Sequence, residues 1–93
     1  MKVLSKDEIT EKMKGLRDWS FTPRGIQRRY ELDSFMSVIR LVNRVAEIAE
    51  KANHHPDILI NYDKVTFTLI THDAGGITQR DFDLAARINA LAP

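Results

Sequence analysis

The feature that most limits the fold is a hydrophobic period that changes on both sides of one central segment. Between Ser34 and Ala52, apolar residues recur at helical spacing: Phe35, Val38, Ile39, Val42, Val45, Ala46 and Ala49 form one stripe at 100° per residue. On either side the spacing shortens to the two-residue alternation of strands. Asp33 or Ser34 supplies the helix cap. Leu41 and Ile48 widen the stripe to about half the circumference, whereas a helix laid on one sheet needs an arc nearer 100°. The surplus points equally to a snug intramolecular neighbour or to a second packing partner such as another subunit.

Each flanking region reads as a hairpin. Trp19 and Phe21 lead into Thr22-Pro23-Arg24-Gly25, where proline presets one turn position and glycine frees another, and Ile26 to Glu31 returns. Ile58 to Tyr62 and Lys64 to Thr71 make the second pair. Pairing Asn61 with Lys64 places Ile58, Ile60, Val65, Phe67 and Leu69 on one face, with Thr66, Thr68, Ile70 and His72 on the other. Ser5-Lys6-Asp7-Glu8 is a capping box opening a short helix to about Leu16. After the turn Asp73-Ala74-Gly75-Gly76, Thr78-Gln79-Arg80-Asp81 opens a last helix with Phe82, Leu84, Ala85, Ile88 and Leu91 as its apolar positions. The order is α-β-β-α-β-β-α across residues 1–93. It predicts a single two-layer α+β domain: a four-stranded antiparallel sheet with three helices on one face.

Composition narrows the function. A net charge of +1 offers no general field for nucleic acid or anionic lipid, and the local patch Arg24, Arg28 and Arg29 reads as a solvated strand face. With no cysteine, neither disulfides nor thiolate catalysis is available. The opening MKVLSKDEIT lacks the apolar run of a secretory signal, and no stretch reaches the roughly 20 apolar residues of a membrane span. The expectation is a cytoplasmic protein without nucleic-acid or membrane partners.

All three histidines, His54, His55 and His72, fall in one short stretch beside Glu50, Asp57, Asp73 and Asp81. Imidazole, with an ordinary pKa of about 6.5, donates or accepts a proton near neutrality. Extending the Asn61–Lys64 pairing backwards sets residues 53 and 54 opposite 72 and 71, so the rings meet at the open base of the second hairpin. Glu50 lies one helical turn before His54 and can face the same place. A histidine at a helix C-terminus also feels the negative end of the dipole, which favours its protonated form and suits a general acid. Zinc is the first rival, but the H-x-x-x-H and H-E-x-x-H spacings are missing. A carboxylate-pair hydrolase, a serine elbow and a phosphate-cradling glycine loop likewise have no signature here.

Glu50, His54-His55-Pro56, Tyr62, His72 and Asp81 resemble, in type and spacing, the signature of the pterin-4a-carbinolamine dehydratase family. The resemblance continues through Trp19 and the run from Asp57 to Asp83. It implies a four-stranded antiparallel sheet with helices on one face, and dehydration of a 4a-hydroxy-tetrahydropterin to a quinonoid dihydropterin without metal or organic cofactor. It further implies His54 and His72 as acids acting on the departing hydroxyl, and His55 as a ligand for the pterin or for its nitrogen proton. Glu50 then tunes a histidine, while Asp81, which also caps the last helix, touches the substrate side. Two positions depart from the animal members: Asn53 where those tend to carry an acid, and Ile58 where they place a tryptophan near the pocket. Both are expected at the substrate. A homodimer or homotetramer is expected. The family's other role, as dimerisation partner of a transcription regulator, and action on a different pterin such as one of molybdenum-cofactor metabolism, are the alternatives.

Overall fold

A computed structural model describes residues 2–93. The elements follow in the order α1 (Lys6–Met13), β1 (Ser20–Thr22), β2 (Gly25–Glu31), α2 (Phe35–Ala52), β3 (Asp57–Asn61), β4 (Lys64–Leu69), a 3-10 turn His72–Ala74, and α3 (Gln79–Leu91). The four strands form one antiparallel sheet, as the two-hairpin reading anticipates, and their order is β1-β2-β4-β3. Asn61 pairs with Lys64, Ile60 with Val65 and Ile58 with Phe67, so the expected register holds. Val65, Phe67, Leu69 and Ile26 are fully buried beneath Val38, Leu41, Val45 and Ala49 of α2 and Leu84, Ala85 and Ile88 of α3. No helix among the described residues is long and apolar enough to cross a membrane.

Boundaries shift for identifiable reasons. The first helix ends at Met13 rather than near Leu16, because Lys14, Gly15 and Leu16 donate to carbonyls only three residues back and tighten the chain into turns. Tyr62, expected in a strand, takes a left-handed φ of 54° and starts the turn. Strand β4 stops at Leu69 rather than Thr71, since Thr71 forms an isolated bridge with Gly76 across the next loop. The ladder to β3 therefore ends at Asp57–Thr68 and never extends to the histidines.

Arg28 corrects the reading of the basic patch. It lies on the helix-facing side, level with Phe67, only partly exposed, with its guanidinium carbon 4.1 Å from the centre of the Tyr30 ring. Asn89 Oδ1 accepts from Arg28 Nη1 at 2.9 Å, from Trp19 Nε1 at 2.8 Å and from the Tyr30 hydroxyl. One amide of α3 thus satisfies three donors that the sheet and its lead-in would otherwise bury unpaired. Burial raises the Tyr30 phenol above its ordinary value against the opposing pull of the Arg28 cation.

At the start of α2, Phe35 of the stripe is 45% exposed and Met36 beside it, outside the stripe, is 54% exposed.

Candidate active site

The histidine pair stands where α2 stops. Asn53 adopts the left-handed conformation (φ 50°, ψ 44°), and its N–H donates to Glu50 O while the His54 N–H donates to Ala49 O, each at 3.1 Å. Those two bonds are a Schellman ending, with asparagine in the place usually taken by glycine. The reversal throws His54 inward and leaves His55 outside. His54 is 7% exposed, whereas His55 remains open to solvent.

Asp81 receives the buried ring. His54 Nε2 lies 2.5 Å from Asp81 Oδ1, and Asp81 Oδ2 accepts from Thr71 Oγ1 and from the Thr78 N–H, both at 2.9 Å. The carboxylate is itself fully buried. It also completes the capping box of α3 with Thr78. With Nε2 turned to the carboxylate, Nδ1 is the His54 nitrogen available for proton exchange. Asp81 therefore stands behind His54 with its oxygens occupied.

His55 has a looser counterpart. Its Nε2 is 2.7 Å from Glu50 Oε1, and the two side chains are 59% and 80% exposed. His72 approaches from the other wall on the 3-10 turn, which is closed by Gly75 in a left-handed conformation (φ 79°). Among the described residues, His54 and His55 have carboxylate partners and His72 has none.

Asn53, His54, His55, Thr71 and His72 line one cleft of about 220 Å³, completed by Ile70, Asp73 and Arg80. The hairpin arithmetic places the rings together for a different reason than the one that operates. A helix end and a 3-10 turn carry them, not a prolonged ladder. Ile58 is not among the lining residues. Its side chain shares the helix-facing side of the edge strand β3 with Phe67. Ile70 and Arg80 carry no spacing signal of their own and emerge only from the fold. Among the described residues no three His, Asp or Glu side chains gather as a metal-binding set. A larger groove of about 560 Å³ runs between α2 and the end of α3, but its charged lining is Arg40 and Arg44, with no group that exchanges a proton near neutrality.

Known proteins are similar to this chain along nearly its whole length. The family model described as "Pterin 4 alpha carbinolamine dehydratase" matches residues 2–91. A protein of Cyanothece sp. named "Putative pterin-4-alpha-carbinolamine dehydratase" is 50% identical over 90 residues, covering 97% of this chain and 93% of its own. The Nocardia farcinica protein of the same name is also 50% identical, covering 97% and 95%. Among solved structures, a transcriptional coactivator/pterin dehydratase from Brucella melitensis superposes with a TM-score of 0.94 at 30% identity, over 99% of this chain and 100% of that one. A pterin dehydratase-like RuBisCO assembly factor of the alpha-carboxysome shares the fold, with a TM-score of 0.65 at 24% identity over 80% of this chain and 86% of that one. Matched along almost its whole length and half identical to two curated relatives, this chain belongs to the pterin-4-alpha-carbinolamine dehydratase family.

Proposed function

We propose that this protein is a hydro-lyase that converts a 4a-hydroxy-tetrahydropterin to the quinonoid dihydropterin and water by histidine acid–base catalysis, in the recycling of tetrahydrobiopterin in the cytoplasm. The observation that carries this reading is the convergence of His54, His55 and His72 on one cleft, two of them already backed by carboxylates.

Elimination breaks the bond between C4a and the hydroxyl oxygen. An imidazolium gives its proton to the departing hydroxyl, which leaves as water. The lone pair of the adjacent ring nitrogen forms the new double bond to C4a, and the proton on that nitrogen passes to a neutral imidazole. Each transfer is worth about 10²–10⁴-fold. His54 and His72 are assigned to the hydroxyl and His55 to the pterin nitrogen, with Glu50 fixing the His55 ring and Asn53 lining the ring site. Asp81 holds His54 in one tautomer, as a carboxylate does for a catalytic imidazole elsewhere. A cleft of about 220 Å³ is below the roughly 300–1,000 Å³ of pockets for drug-sized ligands, so it suits a compact bicyclic head whose substituent stays outside.

The test is loss of carbinolamine absorbance on adding purified protein, followed with His54→Ala and His72→Ala. Each substitution is expected to lower kcat by about 10²-fold or more. Wild-type turnover in both variants would remove the assigned roles.

A second reading rests on the exposed Phe35 and Met36 of α2. That apolar strip supports self-association into a dimer or tetramer, or docking on a transcription regulator, a role in keeping with the name of the Brucella protein. Light scattering of wild type against Met36→Glu separates a self-associating strip from an idle one. A third reading keeps the chemistry but takes a different pterin, such as one of molybdenum-cofactor metabolism. Comparing turnover across reduced pterins decides it.

A further inference from the structure

A helix that ends in solvent can leave its last carbonyls to water. The end of α2 is exposed, yet two of the carbonyls there are held by another element. The Schellman ending satisfies Ala49 O and Glu50 O from within the chain, but the carbonyls of Ala52 and Asn53 point away from that turn. Both are met by one nitrogen from another element: Arg80 Nη2 donates to Ala52 O at 3.1 Å and to Asn53 O at 2.6 Å.

Arg80 is next to Asp81 in the first turn of α3. Two neighbouring residues therefore grip the same stretch of chain in different ways. Asp81 holds the ring of His54, and Arg80 holds the two peptide oxygens immediately before it. The cation also sits at the negative end of the α2 dipole, where positive charge is favoured. His55, beyond the grip, has only the exposed Glu50 to fix its ring. Anything that lets the 52–53 peptides rotate moves both rings relative to His72.

We infer that Arg80 is a positioning residue for the histidine pair: by clamping the carbonyls of Ala52 and Asn53 it sets the angle at which His54 and His55 face His72 across the cleft. This rests on the dehydratase reading as far as rates are concerned, but the geometric claim stands apart from turnover. Arg80 lines the cleft without being assigned contact with the reacting atoms. Its removal should thus act on kcat, because misplacing a catalytic group by about 1 Å costs about 10²-fold with little change in ground-state binding.

Arg80→Met removes the donor and keeps most of the stem. Its kcat is expected to fall about 10²-fold with KM within about threefold, and guanidinium at non-denaturing concentration should restore part of the loss by occupying the vacated position. Nitrogen–proton correlation spectra of the imidazoles should show altered His54 and His55 rings beside an unchanged His72. Turnover within twofold of wild type, a defect confined to KM, or His54 and His55 signals matching wild type would each overturn the inference. If Arg80→Met does not fold, Arg80→Gln carries the same three measurements. The spectra need no turnover. A wild type inactive on every pterin therefore sinks the dehydratase reading, whereas unperturbed rings in the variant sink the clamp.

Discussion

Two histidine–carboxylate pairs stand side by side and share almost nothing but chemistry. In the His54–Asp81 pair the side chains are 8% and 0% exposed and the atoms are 2.5 Å apart; in the His55–Glu50 pair they are 59% and 80% exposed at 2.7 Å. The buried pair joins two helices and a loop, since Asp81 also takes Thr71 and Thr78. The exposed pair joins a helix to its own end. Distance alone would rank them nearly equal. Burial separates them, because water screens the outer pair and leaves the inner one no alternative partner.

The largest expected effect is on the inner pair. Asp81→Ala should cost about 3–5 kcal/mol, lowering the melting temperature by more than about 12 °C, because it strands His54 and opens the cap of α3. A melt close to wild type would mean that burial is not what distinguishes the pairs. Double-mutant cycles sharpen the contrast: His54 with Asp81 should couple by about 2–3 kcal/mol, and His55 with Glu50 by less than about 1 kcal/mol, in denaturant unfolding. Glu50→Gln should leave stability within about 0.5 kcal/mol and lower kcat by no more than about 10-fold, with the difference shrinking as salt is raised. At the hinge between the pairs, Asn53→Ala should cost about 1 kcal/mol for its left-handed backbone while Asn53→Gly is nearly neutral, read from thermal melts.

The smallest effect belongs to a pair remote from the cleft. The hydrogen bond from Lys2, with that from the Ser5 N–H, brings the Glu8 carboxyl down to about 2 from 4.5. A lowered carboxylate contributes stability that is present above pH 4.5 and lost as the pH falls towards 2. Acid titration of unfolding in wild type and Glu8→Gln should diverge above that window and converge below it.

Much of this was legible in the residues. Alternation about Asn61 and Lys64 sets which side chains share a face, because strand periodicity admits one register with a buried side. The capping boxes at Ser5 and Thr78 mark their helices by local chemistry alone. The histidine cluster was legible too, though by a ladder that stops two positions short of the pair, at Asp57. What stayed hidden depends on tertiary approach. Nothing around Arg28 announces that Asn89, sixty-one positions away, will draw it under the sheet. Nor does Arg80 look different from a solvated residue of a helix start until the end of α2 is laid against it. Asp81 was legible as the cap of α3 but not as the partner of His54, since the cap takes Oδ2 and leaves Oδ1 of the same carboxylate for the ring.

That shared use has an evolutionary edge. Asp81 cannot be relaxed for the chemistry without being lost to the architecture, whereas His55, Glu50 and His72 can drift with little structural penalty. A lineage that abandoned turnover but kept the shape would shed its exposed imidazoles early and its buried aspartate last. Descent would then leave the anchor in place long after the reaction it once served had gone.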